Sequence, residues 1–123
     1  MHELSVCRGL VQQLEQLAAE HQARGCKTVR LQIGPLSGIE PQLLQQAFPI
    51  ASADSRARDA TLVIEVMPVR VRCQSCGAET DAVPNNLSCG LCHDWHTQLL
   101  SGDEMFLHSV ELSMDEEREL SDV

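Results

Sequence analysis

The feature that most constrains this chain is a pair of Cys-x-x-Cys units. CQSC occupies residues 73–76 and CGLC occupies residues 89–92, with twelve residues between them. Two residues between cysteines let both thiolates of a tight turn bind one ion, and Gly77 and Gly90 ease the backbone turns. Two such turns supply a tetrahedral sulfur shell with no open position, which suits a structural Zn²⁺. The spacing therefore predicts zinc ligands at Cys73, Cys76, Cys89 and Cys92.

The segment around these cysteines, residues 71–100, is short and poor in aliphatic residues. A piece of about 30 residues has too little core to fold alone, so metal binding would supply the missing free energy. Two disulfides or four loose thiols are the alternative, but a reducing compartment favours metal. An iron site of the rubredoxin kind is the other metal option. His93 and His96 could replace a thiolate or respond to pH near the metal, but the favoured interpretation is that they are exposed loop histidines.

The flanking segments predict two helices and three strands. Apolar residues recur at helical steps from 5 to 24, where Ser5 suits an N-cap and Gly25 a C-terminal stop. We expect Cys7, Cys26, His21 and His108 to pack in the core. The second predicted helix covers 41–48 and stops or bends at Pro49. The predicted strands cover 28–33, 61–73 and 104–113, and Pro68 either breaks the second of these or marks a sheet edge.

The last strand cannot stand alone, so it most simply joins the earlier sheet. The predicted fold class is therefore α+β: a small mixed three-stranded sheet with two helices, plus an inserted Cys₄ zinc-ribbon-like domain. The predicted domains are residues 1–70 with 101–115, discontinuous in sequence, then residues 71–100 for zinc, and an acidic tail at 116–123.

Composition excludes several classes of function. The net charge is −9 with a pI near 4.8, and two Phe, one Trp and no Tyr offer few stacking platforms, so nucleic acid and anionic membranes are not expected partners. No signal peptide or membrane-spanning run is visible, which predicts a cytoplasmic protein. No P-loop or GxSxG motif is present, and HELSV lacks the second histidine of HExxH, so we do not expect an enzyme.

The amino terminus offers a second metal site. Met1 should be retained because His2 is large, and this leaves an α-amine, a backbone amide and an imidazole in sequence. The amine and the His2 amide close a five-membered chelate ring, and that amide and Nδ1 close a six-membered ring. Nitrogen ligands in a plane suit Ni²⁺ or Cu²⁺, and an α-amine pKa of about 7.7–8 permits deprotonation near neutral pH. Glu3 adds an amide nitrogen or a carboxylate.

Together, the MHELSV start, the helix–strand–helix–strand order, the paired CxxC units and the late LHSVEL strand resemble the HypA/HybF family of hydrogenase-maturation nickel metallochaperones, over residues 1 to about 112. The resemblance implies Ni²⁺ binding at Met1 and His2 with Glu3 assisting, and a Cys₄ zinc domain. It also implies delivery to the large subunit of [NiFe]-hydrogenase, or in some organisms urease, with a nickel-handling accessory GTPase.

Other readings stay open. The first is a zinc-ribbon adaptor that binds a protein partner and has no nickel role. The second is a thiol oxidoreductase or a metal hydrolase, for which the CxxC pairs would have to be redox-active. The choice between a monomer and a homodimer is also open.

Overall fold

A computed structural model describes residues 2–114, with side chains from Glu3 onward. Met1, the imidazole of His2 and the predicted acidic tail at 116–123 lie outside the described residues. The elements in chain order are α1 (His2–Glu20), β1 (Gly25–Ile33), α2 (Pro41–Ser52), β2 (Thr61–Val66), β3 (Val69–Cys73), β4 (Glu79–Ala82), β5 (Thr97–Ser101) and β6 (Met105–Ser113). They form two three-stranded sheets, ordered β2-β1-β6 and β4-β3-β5, which confirms the α+β class.

The first sheet is mixed, as predicted. The N–H of Met67 donates to the carbonyl of Ile33 at 2.8 Å, so β1 and β2 end side by side. The N–H of Arg24 donates to the carbonyl of Ser113 at 2.7 Å, so the end of β6 lies beside the start of β1. The connection between the two parallel strands carries α2, the usual arrangement of a crossover. The late strand therefore joins the earlier sheet.

The chain divides into two compact units. The first, which we call the helical unit, takes in the residues up to Leu31, then Glu40–Val63, and the residues from Leu107 onward. Inside it α1 packs against α2, and the Cys7 thiol lies 3.6 Å from the carbonyl of Leu44. The buried residues of this unit are mostly those of the predicted stripes and strand faces: Cys7, Leu10, Val11, Leu14, Ala18, Cys26, Val29, Leu31, Leu44, Phe48 and Leu62.

The first helix begins and ends differently from the prediction. It begins at His2, so Ser5 lies inside its first turn and is not an N-cap. It ends at Glu20, where Gln22 adopts a left-handed backbone with φ of 53°. The N–H of Ala23 donates to the carbonyl of Ala18 at 2.8 Å, which is the closing bond of a Schellman-type end. Gly25 is therefore free to begin β1.

The second helix runs through Pro49 to Ser52, so it does not stop at Pro49, the first of the two outcomes that the sequence predicted there. A proline inside a helix removes one backbone hydrogen bond and strains the preceding turn. Here the last turn continues because Phe48 and Ser52 are both buried against the helical unit. The predicted break at Pro68 is confirmed, since β2 ends at Val66 and β3 begins at Val69.

The second unit, which we call the knuckle unit, comprises Gln32–Ile39 and Ile64–Phe106. Its centre is β3, which pairs antiparallel with β4 on one side and β5 on the other. Two ion pairs cross from β3 to β4: Arg70 to Asp81 at 2.7 Å and Arg72 to Glu79 at 2.8 Å. Both are exposed, and exposed pairs contribute little stability. These pairs therefore add little to the stability of the unit.

Candidate metal centre

Four cysteine sulfurs meet at one end of the knuckle unit. The Sγ atoms of Cys73, Cys76, Cys89 and Cys92 all lie within 4.8 Å of one another. Cys73 and Cys92 are 3.5 Å apart, and Cys76 and Cys89 are 3.6 Å apart. None of them forms a disulfide. The structure thus brings together the two CxxC units that the sequence predicted to share one ion.

Each CxxC turn aims backbone N–H groups at its first sulfur. Cys73 Sγ accepts from the N–H of Ser75 at 3.3 Å and of Cys76 at 3.4 Å. Cys89 Sγ accepts in the same way from Leu91 at 3.3 Å and Cys92 at 3.4 Å. These donors favour the thiolate: the Cys92 N–H, with that of Leu91, lowers the pKa of Cys89 to about 6. The turns therefore prepare both first cysteines as anionic ligands.

The residue after each turn has a left-handed backbone. Gly77 has φ of 77° and His93 has φ of 67°, and their N–H groups donate to the carbonyls of Cys73 and Cys89 at 3.0 Å each. The prediction that Gly90 eases the second turn is wrong, because His93 occupies the position equivalent to Gly77. Gly90 instead allows the backbone to approach Thr80 closely. Its N–H donates to the Thr80 hydroxyl at 2.9 Å, and a Cβ at position 90 would lie 3.2 Å from the Thr80 Cβ.

Asp94 ties the two turns together, a role that sequence reasoning missed. Its carboxylate accepts from the Ser75 hydroxyl, from the His96 backbone N–H at 3.0 Å, and contacts His96 Nδ1 at 2.8 Å. The Ser75 bond and then those of His96 hold the pKa of this carboxyl well below its usual range. Its carbonyl also accepts the Cys89 N–H at 2.8 Å. Asp two residues before a loop histidine is a recognisable Asx-turn signal.

The donor set and its geometry fit zinc. Four sulfurs around Zn²⁺ at about 2.3 Å from the metal would be about 3.8 Å from one another. Two sulfur pairs, at 3.5 and 3.6 Å, are close to that spacing, and all four sulfurs lie within 4.8 Å of one another, so the cluster is of the size that a tetrahedral zinc shell needs. Four thiolates this close repel one another, so a divalent cation is what allows them to be anionic together. Such a shell has no position left for substrate.

Within residues 2–114, no histidine or carboxylate joins the four cysteines in the metal-binding group. His93 and His96 are exposed loop residues, as predicted, and His96 stacks on Trp95 with 3.8 Å between ring centroids. His21 and His108 were predicted to pack in the core, but both are exposed. Cys7 and Cys26 are buried, as predicted, and burial raises the pKa of both thiols.

The predicted nickel residues are only partly within the described chain. Of these, Glu3 is described in full, and its side chain is 5% exposed. Glu3 Oε2 accepts the backbone N–H of Glu40 at 3.2 Å, just before α2 begins. In a capping box, this N–H of the N-cap residue would bind a glutamate at position N3 of the same helix. In α2 the N3 residue is Leu43, which cannot do so. Glu3 thus links the first turn of α1 to the start of α2.

Comparison with known proteins supports the resemblance seen in the sequence. A family model described as "Hydrogenase/urease nickel incorporation, metallochaperone, hypA" matches residues 1–112. The hydrogenase maturation factor HypA of Nitrosospira multiformis is 44% identical over 112 residues, covering 91% of this chain and 97% of the relative. That of Aquifex aeolicus is 37% identical over 115 residues, covering 94% of this chain and 100% of the relative.

Solved structures agree with both the fold and the family. The solution structure of the Ni metallochaperone HypA from Helicobacter pylori superposes with a TM-score of 0.67 at 29% identity, covering 94% of this chain and all of that one. A second solution structure, of a HypA protein, gives a TM-score of 0.71 at 29% identity, covering 94% and 98%. The chain therefore belongs to the HypA family of nickel-incorporation metallochaperones.

Proposed function

We propose that this chain binds Ni²⁺ at its amino terminus and delivers it during maturation of [NiFe]-hydrogenase, acting in the cytoplasm as a carrier and not as an enzyme. Zinc in the cysteine cluster keeps the knuckle unit folded. The observation that carries the proposal is the family match over residues 1–112, which includes both the MHE start and the CxxC pair. The division into nickel-binding residues 1–70 with 101–115 and zinc-binding residues 71–100 stays a prediction.

The proposed nickel ligands are the α-amine of Met1 and the amide and imidazole nitrogens of His2, with Glu3 assisting. The start of α1 at His2 supports this choice. The first four N–H groups of a helix have no acceptor within that helix. The His2 amide can therefore lose its proton to bind nickel without breaking a hydrogen bond of α1.

The contact of Glu3 refines its proposed part in nickel binding. Its carboxylate is buried and accepts the Glu40 N–H at 3.2 Å, so it holds the first turn of α1 against the start of α2. We propose that Glu3 assists by fixing the backbone from which the nickel ligands extend, and through its own amide. A rigid third residue lowers the entropy lost when the first two residues wrap a metal ion.

A nickel titration by isothermal calorimetry tests this proposal on protein with its zinc already counted. We expect His2→Ala to abolish tight Ni²⁺ binding while the fold is kept, because one chelate ring is lost. His21→Ala is the matched control, since His21 is an exposed histidine in the turn directly after α1 and its change should leave affinity unaltered. Equal nickel affinity in wild type and His2→Ala would refute the carrier function.

The zinc assignment has its own test. We expect one zinc per chain in the wild type and none in Cys73→Ala, with loss of the dispersed NMR signals of residues 71–100 because the metal supplies their folding free energy. Cys26→Ala is the control, since Cys26 is a buried thiol outside the cluster and should keep its zinc. A metal-free protein that keeps those dispersed signals would contradict a structural role.

The proposed partners are a nickel-handling accessory GTPase and the hydrogenase large subunit. The rival function, a zinc-ribbon adaptor without nickel, would use the same four sulfurs and ignore the amino terminus. Two residues appended ahead of Met1 discriminate between these functions. A nickel carrier should then lose its tight site, whereas an adaptor should bind its partner as before.

A further inference from the structure

A polar cleft in the helical unit gathers a large share of the chain's cations. The cleft has a volume of about 680 Å³ and lies among the start of β1, the segment after α2 and the end of β6. Its lining includes four of the nine lysine and arginine residues in the sequence: Arg24, Lys27, Arg56 and Arg58. Three carboxylates also line it: those of Glu15, Asp54 and Asp59. With four cations against three carboxylates, the cleft is net positive on a chain whose net charge is −9.

The cations of the cleft differ in how far they are already paired. Arg56 Nη1 lies 3.4 Å from Glu15 Oε2, and the Arg56 backbone N–H donates to the same carboxylate. Arg58 Nε lies 3.8 Å from Asp59 Oδ2, but both side chains are largely exposed, so this pair is weak. Lys27 is exposed and forms no ion pair with any residue in the range 2–114. Lys27 and Arg58 are therefore the cations best able to bind a further anionic group.

The described part of the chain ends beside this cleft. Ser113, the last residue of β6, is one of the lining residues. The Arg24 N–H donates to the Ser113 carbonyl at 2.7 Å, which fixes the end of β6 at the cleft. An extended chain covers about 3.3–3.6 Å per residue, so residue 116 is at most about 11 Å from Ser113. The acidic tail at 116–123 thus begins within reach of the cleft.

The acidic tail has the charge that the cleft attracts. Its sequence, EERELSDV, contains one arginine and four carboxylates: those of Glu116, Glu117, Glu119 and Asp122. A segment tethered this close has an effective concentration in the millimolar range, so weak charge pairs suffice to hold it. The family model ends at residue 112, so the tail lies beyond the part of the chain that the family pattern covers.

From the cations of the cleft, the position of Ser113 and the charge of the tail, we propose that the acidic tail binds in this cleft, with its carboxylates at Lys27 and Arg58. The cleft is then a docking site that the chain occupies itself. An acidic segment of another protein has to displace the tail in order to bind there. No residue of the cleft or tail is proposed to bind nickel or zinc, so failure of this proposal would leave the carrier function unaffected.

Amide NMR spectra of the zinc-loaded full chain test the proposal. Wild type is compared with a tail-neutral variant, in which Glu116, Glu117 and Glu119 are all replaced by Gln at unchanged chain length. We expect the Lys27 and Arg58 signals to move between the two proteins. Raising the salt from about 50 mM to about 500 mM should move the wild-type signals in the same direction, because salt screens exposed charge pairs. The signal of Arg30, an exposed cation of β1 outside the cleft, should stay in place.

A synthetic octaglutamate peptide, titrated into the same proteins, measures the competition. We expect it to bind the tail-neutral variant about three- to tenfold more tightly than wild type, because in wild type it must displace the tail. Lys27→Glu should remove this difference, since the peptide and the tail lose the same cation. Arg30→Glu is the matched control: it makes the same charge change on the same strand and should keep the difference.

Three results would overturn the proposal. The first is unchanged Lys27 and Arg58 signals in the tail-neutral variant. The second is equal peptide affinity in wild type and that variant, which would assign the cleft to an acidic partner protein. The third is inorganic phosphate moving these signals equally in both proteins, which would assign the cleft to a small oxyanion. Zinc content and circular dichroism of each variant establish that the variants are folded.

Discussion

Replacing Glu3 tests how the proposed nickel-binding end is attached to the rest of the helical unit. The Glu3 carboxylate is 5% exposed and accepts the Glu40 N–H at 3.2 Å. No side chain caps α2 locally at Glu40. In Glu3→Ala that partly buried N–H loses an acceptor, which costs about 1–3 kcal/mol. For a chain of this length we expect the melting temperature to fall by about 3–10 °C. Glu3→Gln keeps an acceptor oxygen and should lose less than half as much.

Differential scanning calorimetry of zinc-loaded protein measures these shifts, and a nickel titration on the same samples separates stability from binding. We expect Glu3→Gln to retain tight nickel binding because the substitution leaves the backbone amide nitrogens unchanged. Glu20→Ala is the control: it removes an exposed glutamate of the same helix and should shift the midpoint by less than about 2 °C. Equal midpoints for Glu3→Ala and wild type would refute the anchoring role. Loss of nickel in Glu3→Gln would instead make the carboxylate a ligand.

Two further predictions concern the core of the helical unit. Ser52 is fully buried, and its hydroxyl has no hydrogen-bond partner among the described residues. Ser52→Ala should therefore raise the free energy of unfolding, measured by urea titration, by about 1 kcal/mol. A destabilised variant would show that the hydroxyl has a partner. Burial, with the nearby Glu3 charge second, raises the pKa of Cys7 from 9.0 to about 11. The folded state thus holds the proton that the unfolded state loses above pH 9, so this contribution to stability is complete below pH 9 and is lost as the pH rises towards 11. Cys7→Ala should flatten the stability profile over that window, and an unchanged slope would contradict the assignment.

Sequence reasoning located the elements wherever their signals were local. The stripe that includes Leu10, Leu14 and Ala18 predicted α1, and the alternation of Val29 and Leu31 predicted β1. The CxxC spacing predicted that four sulfurs would meet, because two residues between cysteines constrain the turn whatever surrounds it. These signals are carried by residues close together in the chain, so one sequence is enough to read them.

The errors arose where a distant contact decides the local structure. Ser5 is a good N-cap by type, but Glu3 contacts Glu40, 37 residues away, and the helix starts at His2. Pro49 is a strong stop signal, yet burial of Ser52 carries α2 beyond it. His108 was placed in the core by alternation with Phe106, but the structure leaves both Phe106 and His108 exposed. In each case, tertiary packing overrode a correct local preference.

The two proposed metal sites differ in how much of the fold they require, and this difference suits their different roles. The proposed nickel ligands are adjacent in sequence, so their chelate rings close without any tertiary contact beyond the anchor at Glu3. The cysteine cluster draws its sulfurs from two turns joined by Asp94, Ser75 and His96, so it can form only when the knuckle unit is folded. Release of the terminal ion therefore leaves the fold intact, whereas release of the zinc would cost the knuckle unit its structure. A carrier must be able to release the metal that it delivers without unfolding, whereas the metal that it keeps can be part of what holds the fold together.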